Sequence, residues 1–380
     1  MSGDGRFVLL ATLWMKGFSG TPVVTRNIAR GLLGRGWRVA VYAREIGGAA
    51  NQLLTASIPV INELGKLGVA PDLIQFTHHP TGVPTLVAFP DAPLIQFCQD
   101  ADAWHEHPVD LERIRRHLAV DEACRDRLVL QGGIPNGETG LLLNAIDVMR
   151  TPRSANPPPD RPRRALIVAN RHAGHVPAIE AACGAMGVET TTVGYGVGKP
   201  IDGLEPLMLK ADVVFGAARV ALEAMAVGCA AIVCDARGFA GLATPEVFDD
   251  WRLKNFGRRV LLRPVTPQAV KDALAAYDAA AAFAVTERVR AECSLERQLD
   301  QLEAIYEQVL ADHAAAGPVD RAREASDLAA YLNRWLPRSE PIWPWQRERD
   351  DLIETCARLT AENAVLSAEL EASGSQRRPP

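Results

Sequence analysis

Arg219 and Glu223 stand four residues apart in the run Asp212-Val-Val-Phe-Gly-Ala-Ala-Arg-Val-Ala-Leu-Glu-Ala-Met-Ala-Val-Gly228. On a helix that spacing sets both on one face, a turn apart. A guanidinium there offers fixed charge to a phosphate, and a carboxylate accepts hydrogen bonds from ribose hydroxyls. Val213 to Phe215 is a short apolar run, read as a buried strand. Ala217 to Val227 is rich in Ala, Leu, Met and Glu and stops at Gly228, which reads as a helix with its terminator. Ala230 to Cys234 is apolar again, so the unit is strand, helix, strand with tight turns. Its helix starts at the carboxyl end of a parallel strand, where ligands of open α/β sheets bind. Free N–H groups at Ala217, Ala218 and Arg219, with the positive end of the helix dipole, suit an anion. Helix composition alone fits equally an amphipathic helix with its glutamate in water; the flanking strands and Gly228 favour a nucleotide-diphosphate site.

Similar units fill the chain. Strand-like and helix-like runs alternate through Phe7–Thr12, a helix from Pro22, Arg38–Ala43, a helix near Thr55–Leu67, Leu73–Phe76 and Pro93–Cys98. They resume with Ala165–Ala169, a helix at Ala178–Met186, Thr190–Val193 and the 212–235 unit. Between them, Thr151 to Arg164 holds five prolines and almost nothing apolar, so it is a linker. The expected architecture is α/β: two Rossmann-like domains facing a cleft, at 1–150 and 165–312, joined by linker 151–164 and followed by a helical tail at 313–380. A chain of 380 residues, 48% hydrophobic, can bury two cores.

Leu222-Glu-Ala-Met-Ala-Val-Gly228 resembles the donor-site signature of the retaining glycosyltransferases of family 4, which have the GT-B fold. The resemblance covers roughly residues 6 to 312. It implies transfer of a sugar from a nucleotide-diphosphate donor to an acceptor, with retention at the anomeric carbon, no metal and no cofactor beyond the donor. It also implies that Glu223 holds the ribose. The Lys16-Gly-Phe-Ser-Gly-Thr21 turn, with Gly17 and Gly20, would face the cleft, Thr21 capping the next helix ahead of Pro22. Leu33-Gly-Arg-Gly-Trp-Arg-Val-Ala-Val41 matches the family's turn into the second strand, with Trp37 where a histidine is common. Arg171 stands where the family places an arginine on the diphosphate. The usual lysine five residues later is Val176, which leaves Lys199 or Lys210 to complete the clamp. Gly194, in Thr192-Val-Gly-Tyr-Gly-Val-Gly198, suits a close-approach loop under the donor. Ile95-Gln-Phe-Cys-Gln-Asp100 resembles a strand that ends in His-Asp in the family, with Gln99 in the histidine place and Asp100 as the surviving polar group and the candidate catalytic residue; a cap or turn carboxylate is the plainer reading. The second glutamate of the family, eight residues before the ribose-binding one, is Phe215 here.

A net charge of −5 from 46 acids against 41 bases argues against a dedicated nucleic-acid binder. Seven scattered cysteines without a C-x-x-C pair suit free thiols in a reducing compartment. The start lacks a signal-peptide pattern and no run reaches membrane-span length, so the expected location is cytoplasmic. His105-Glu-His107 has a spacing that metal sites use on strands, but Trp104 and Pro108 make it a loop lining the cleft or the surface. The basic set Arg6, Lys16, Arg26, Arg30, Arg35, Arg38 and Arg44 reads first as a solvated face and leaves open a peripheral contact at the inner membrane face. In the tail, Arg321 to Leu336 reads as a helix. Leu352, Leu359 and Leu366, alternating with Cys356, Asn363 and Leu370, form a short heptad seam for a homodimer or for packing on the chain's own domain. The acceptor is a glycan, lipid-linked or small molecule. A sugar-nucleotide epimerase on the same fold and a non-catalytic glycosyltransferase-like partner protein stay open as alternatives.

Overall fold

The computed structural model describes residues 5–17, 20–170, 172–201 and 203–335, together with residues 352, 355 and 359. Residues up to Asp320 form one compact unit and those from Arg321 onward a second.

The first domain of the large unit runs β1 (Phe7–Met15), α1 (Gly20–Gly34), β2 (Arg38–Ile46), α2 (Gly48–Thr55), β3 (Val60–Ile61), β4 (Leu73–Phe76), α3 (His79–Ala88), β5 (Leu94–Cys98), β6 (Ile114–Ala119), α4 (Glu122–Asp126) and β7 (Thr139–Leu141). Its seven strands are all parallel, in the order β3-β2-β1-β4-β5-β6-β7. The apolar strands are covered on both faces, as a parallel sheet requires. Val24, Ile28 and Leu32 do step along one buried face of α1. That helix begins at Gly20, one residue ahead of the expected Thr21 cap. The helix expected near Thr55–Leu67 lies earlier, at α2; the later residues hold only β3 and a single turn at Leu64–Lys66. Ser57, with φ of +62°, ends the helical stretch there.

The second domain runs β8 (Arg164–Val168), α5 (Val176–Ala185), β9 (Glu189–Val193), α6 (Glu205–Met208), β10 (Val213–Gly216), α7 (Arg219–Val227), β11 (Ala230–Asp235), β12 (Gly238–Leu242), α8 (Phe248–Leu253), α9 (Pro267–Ala275) and α10 (Ala279–Glu292). The sheet order is β12-β11-β10-β8-β9, with only β12 antiparallel. The linker from Thr151 to Arg163 carries no helix or strand, in keeping with its prolines.

One expected boundary moves. α11 (Leu295–Ala315) follows the second domain in sequence but packs in the core of the first. Leu299, Leu302, Tyr306 and Val309 are buried there with Ile28, Leu32 and Trp37. Tyr306 donates its hydroxyl to Gln75 Oε1 at 2.7 Å, a buried bond between α11 and β4. Trp37 packs edge-on against Tyr306 and donates Nε1–H to Glu303 at 2.8 Å. The helix's apolar face fits either core by pattern, so assigning residues 295–312 to the second domain places them in the wrong one.

The six described cysteines are free and buried. Among the described residues no helix is long and apolar enough to cross a membrane. The second unit contains α12 (Arg321–Trp335), close to the expected helix, with the Tyr331 and Trp335 rings 6.3 Å apart. Of the heptad seam, Leu352 and Leu359 are exposed, at 59% and 47%. Cys356, Asn363, Leu366 and Leu370 lie outside the described residues.

Candidate functional site

Each sheet has one place where its strand order reverses, and the carboxyl ends of the strands open there into a crevice. In the second domain it lies between β8 and β10; in the first, between β1 and β4.

The second-domain crevice gathers the residues expected to bind a donor. After β9, Gly194 adopts φ of +122° and a Cβ there would collide with the Ala169 carbonyl, so glycine alone fits. Two hydrogen bonds with Lys199, at 2.8 and 3.0 Å, close the loop behind it. Tyr195 stands exposed at the loop tip, and a Cβ on Gly17 (φ +72°) would lie 3.2 Å from its hydroxyl. The Gly17 and Gly194 loops, expected to line one cleft, therefore meet across it. Gly20 has open space around its Cα. Arg171 lies outside the described residues.

α7 begins at Arg219, not at Ala217, and its start is strained. Ala218 has φ of +54° and ψ of −125°, and donates its N–H to the Phe256 carbonyl at 2.8 Å. That N–H is thus taken, and the expectation that Ala217, Ala218 and Arg219 all present free amides is corrected at Ala218. Asn255 and Phe256 also have positive φ. Such conformations cost about 1–3 kcal/mol each and persist where packing over-determines them. Here buried Phe256 packs on Phe248, and Asn255 accepts from Asn144 at 3.0 Å.

Arg219 and Glu223 form a hydrogen-bonded ion pair at 2.6 Å, both side chains about one-sixth exposed. They line a cavity of about 490 Å³ with Glu205 from their own domain and Arg26, Asn27 and Arg30 from α1. Burial lowers the Arg26 pKa, and the neighbouring Arg219 and Arg30 lower it further, against the pull of Glu205 and Glu223. Arg26 is held by neutral oxygens, those of Asn27 and Gln52. Cationic groups so arranged favour a bound anion beside a carboxylate that accepts hydroxyls. Of the other N-terminal bases, Arg6 pairs with Glu307, Lys16 with Glu45, and Arg35 with Asp300 and Glu303.

Several expected substitutes fall elsewhere. Phe215 is buried in the core under the sheet, and Val176 is buried at the start of α5. Lys210 lines a shallow pocket with Arg164 and Glu189 at the amino ends of the strands, the wrong edge for a diphosphate clamp. Exposed Lys199 stands at the base of the Gly194 loop. Sequence reading passed over His175, buried at the front of α5 with Nδ1 lacking a hydrogen-bond partner.

In the first-domain crevice, Asp100 follows β5, and its Oδ1 accepts from the N–H groups of Asp102 and Ala103 at 2.8 and 3.0 Å. This is the turn-carboxylate arrangement, and it presents Trp104 and His105. Glu106, the middle residue of His105-Glu-His107, is buried and accepts from the backbone N–H groups of Gln99 and Asp100. Burial outweighs those two donors and lifts its pKa to about 8. His78, one of the histidines 78, 79, 105, 107 and 117 that cluster in the sequence, is fully buried; burial, then the nearby His105 and His79, push its pKa down to about 3. Its ring lies 5.0 Å from Trp14 and 4.8 Å from His105. His78, His105 and Glu106 bring ligand-type atoms within 4.8 Å of one another. Leu13 donates its N–H to His78 Nδ1 at 2.9 Å, so the proton of the neutral ring sits on Nε2. That nitrogen is a donor and not a metal ligand.

The domains also touch through Arg258–Asp102 and Arg259–Asp126. No protein-family model matches the chain, and no curated protein matches its sequence. Solved structures do. A glycosyltransferase from Rickettsia africae ESF-5 superposes with a TM-score of 0.57 at 12% identity, covering 80% of this chain and 99% of that one. Anabaena Alr3699/HepE in complex with UDP and glucose gives 0.56 at 14%, covering 80% and 100%. The same Anabaena protein with UDP-glucose gives 0.55 at 14%, covering 80% and 99%. At such identities the likeness is one of fold, and by fold this chain is a GT-B protein, two Rossmann-like domains on either side of a cleft.

Proposed function

We propose that the protein transfers a sugar from a nucleotide-diphosphate donor, a UDP-sugar by analogy with the Anabaena neighbour, to a hydroxyl-bearing acceptor. The observation that carries this reading is the Arg219–Glu223 pair at the start of α7, facing Arg26 and Arg30 across one cavity. Glu223 accepts the ribose hydroxyls. Arg219, Arg26 and Arg171, with the start of α7 at Arg219, stabilise the departing diphosphate electrostatically. Guanidinium charge in that number supports a metal-independent leaving-group site. Gly17, Gly20 and Gly194 let backbone approach the donor closely. Retention at the anomeric carbon follows from the resemblance of Leu222–Gly228 to family 4. Asp100 acts by holding the turn that carries the acceptor-side residues.

A second reading, a donor-binding protein without transferase activity, is favoured by Phe215 in the core where a sugar-binding glutamate stands in family 4. A thermal-shift panel of UDP, GDP, dTDP, ADP and CMP tests the donor claim, because a ligand that binds only the folded state raises its stability by mass action. One clear hit fixes the nucleotide, and silence across the panel rejects both readings. Release of free nucleotide from the matching sugar donor then separates enzyme from binder.

A further inference from the structure

We propose that Arg219 makes nucleotide binding conditional on phosphate: it holds Glu223 in the free protein and releases it to the ribose only when phosphate oxygens take the carboxylate's place. This inference rests on the donor reading and assigns Arg219 as the residue that selects nucleotides over nucleosides. Arg219 is the first residue of α7, and its Nη2 donates to Glu223 Oε1, one turn further on, at 2.6 Å. Helix energetics do not explain that placement. A cation in the first turn opposes the positive end of the dipole, no acid shares the turn, and a base ahead of its acid is the weaker order for a pair four apart. Helix end and guanidinium are both cationic, and Glu223 offsets them until another anion arrives.

The cavity beside the pair suits such an anion. It holds about 490 Å³, and Arg26 and Arg30 of α1 line it together with Arg219. Arg26 bonds only the neutral oxygens of Asn27 and Gln52, and neither it nor Arg30 forms an ion pair among the described residues. Glu205 lines the same cavity, also without an ion pair. A diphosphate there meets three guanidiniums, and guanidinium matches phosphate with parallel hydrogen bonds, so Arg219 gains a partner that can replace Glu223. Glu223 is then free to accept ribose hydroxyls with both oxygens. A nucleoside brings the hydroxyls without the phosphate. It must share a carboxylate only 15% exposed with Arg219, or displace a guanidinium 16% exposed that is left with no anion. Phosphate and ribose therefore bind with positive coupling, and such coupling is reciprocal.

Calorimetry on the full-length protein tests this with UDP, uridine and inorganic pyrophosphate, uridine being exchanged for the nucleoside of whichever nucleotide the thermal-shift panel selects. In the wild type, saturating pyrophosphate is expected to raise uridine affinity at least threefold. Arg219→Gln should bind UDP at least tenfold more weakly and uridine at least threefold more tightly, and pyrophosphate should no longer affect its uridine affinity. Adding Glu223→Ala to that variant should abolish the uridine gain. Uridine affinity that is unchanged or lower in Arg219→Gln, or a gain that survives loss of Glu223, overturns the inference while UDP binding by the wild type keeps the donor reading. Pyrophosphate without effect on uridine in the wild type overturns it equally, and that measurement needs no variant to fold. Silence of every panel nucleotide removes the donor reading and this inference together.

Discussion

At Glu223 the chemistry reduces to one carboxylate that already holds Arg219. Glu223→Ala removes the ribose acceptor and should weaken nucleotide binding by about 1.5–3 kcal/mol, the usual worth of a hydrogen bond to a charged group. Calorimetry checks it, and an unchanged affinity rejects the assignment. Ala218 sits at φ of +54°, so Ala218→Gly should relieve strain and stabilise the fold by about 1 kcal/mol, read as a higher urea midpoint. Glu106 ties stability to pH. Its pKa rises from 4.5 in the unfolded chain to about 8 in the fold, so the folded state holds the extra proton between those values. The stability it contributes is fully present below pH 4.5 and is lost as pH climbs toward 8, on the order of a few kcal/mol over the window. Glu106→Gln, which keeps an acceptor for the two backbone N–H groups, should flatten that loss in denaturant titrations at pH 5 and pH 8. Arg219 and Glu223 are legible in sequence because four-residue spacing is local. His78 and Trp14 are not, since more than sixty positions separate them and only the parallel pairing of β1 with β4 brings them together.

The strand-helix-strand unit at 212–235 is legible because apolar runs of strand length, a helix-rich run and a glycine stop follow one another directly. α11 is legible as a helix but not as part of the first domain. Its buried face of Leu299, Leu302 and Tyr306 follows helical spacing, and nothing in that spacing says which sheet it covers. Gly31 of α1 marks the answer only after folding, since any side chain there would press into Leu299. A protease nick between Thr151 and Arg163 should therefore not free a 1–150 fragment. The two pieces should co-elute on a sizing column in native buffer and separate only in denaturant, because Leu302 and Tyr306 stay buried against the first. Separation in native buffer would contradict the packing of α11 on the first domain.

Over the whole molecule, the two-domain architecture is the part that sequence carries best, since the proline-rich linker at 151–164 separates two runs of β/α alternation. Closure of the cleft is not legible. It involves the exposed pairs Arg258–Asp102 and Arg259–Asp126, each worth up to about 1 kcal/mol, which no motif announces. The exposed Leu352 and Leu359 lie on the heptad seam read from the tail. Removing residues 346–380 should convert a dimer to a monomer by light scattering while leaving nucleotide affinity unchanged. A monomer in both forms rejects the dimer.

The return of α11 to the first domain sets the order in which the protein can finish itself during synthesis. The strands of the first sheet leave the ribosome first, yet the face that Leu299, Leu302 and Tyr306 cover stays open until residues beyond 300 have been made. By then every strand of the second sheet is already out. The domain translated first is thus the one completed last, against the usual order of domain folding on the ribosome. The crossing itself is compact: Ile146 accepts from the Leu295 N–H and donates to the Cys293 carbonyl, both at 2.8 Å, so the outgoing and returning chains run side by side. Until that strap closes, the nascent first sheet carries an uncovered apolar face.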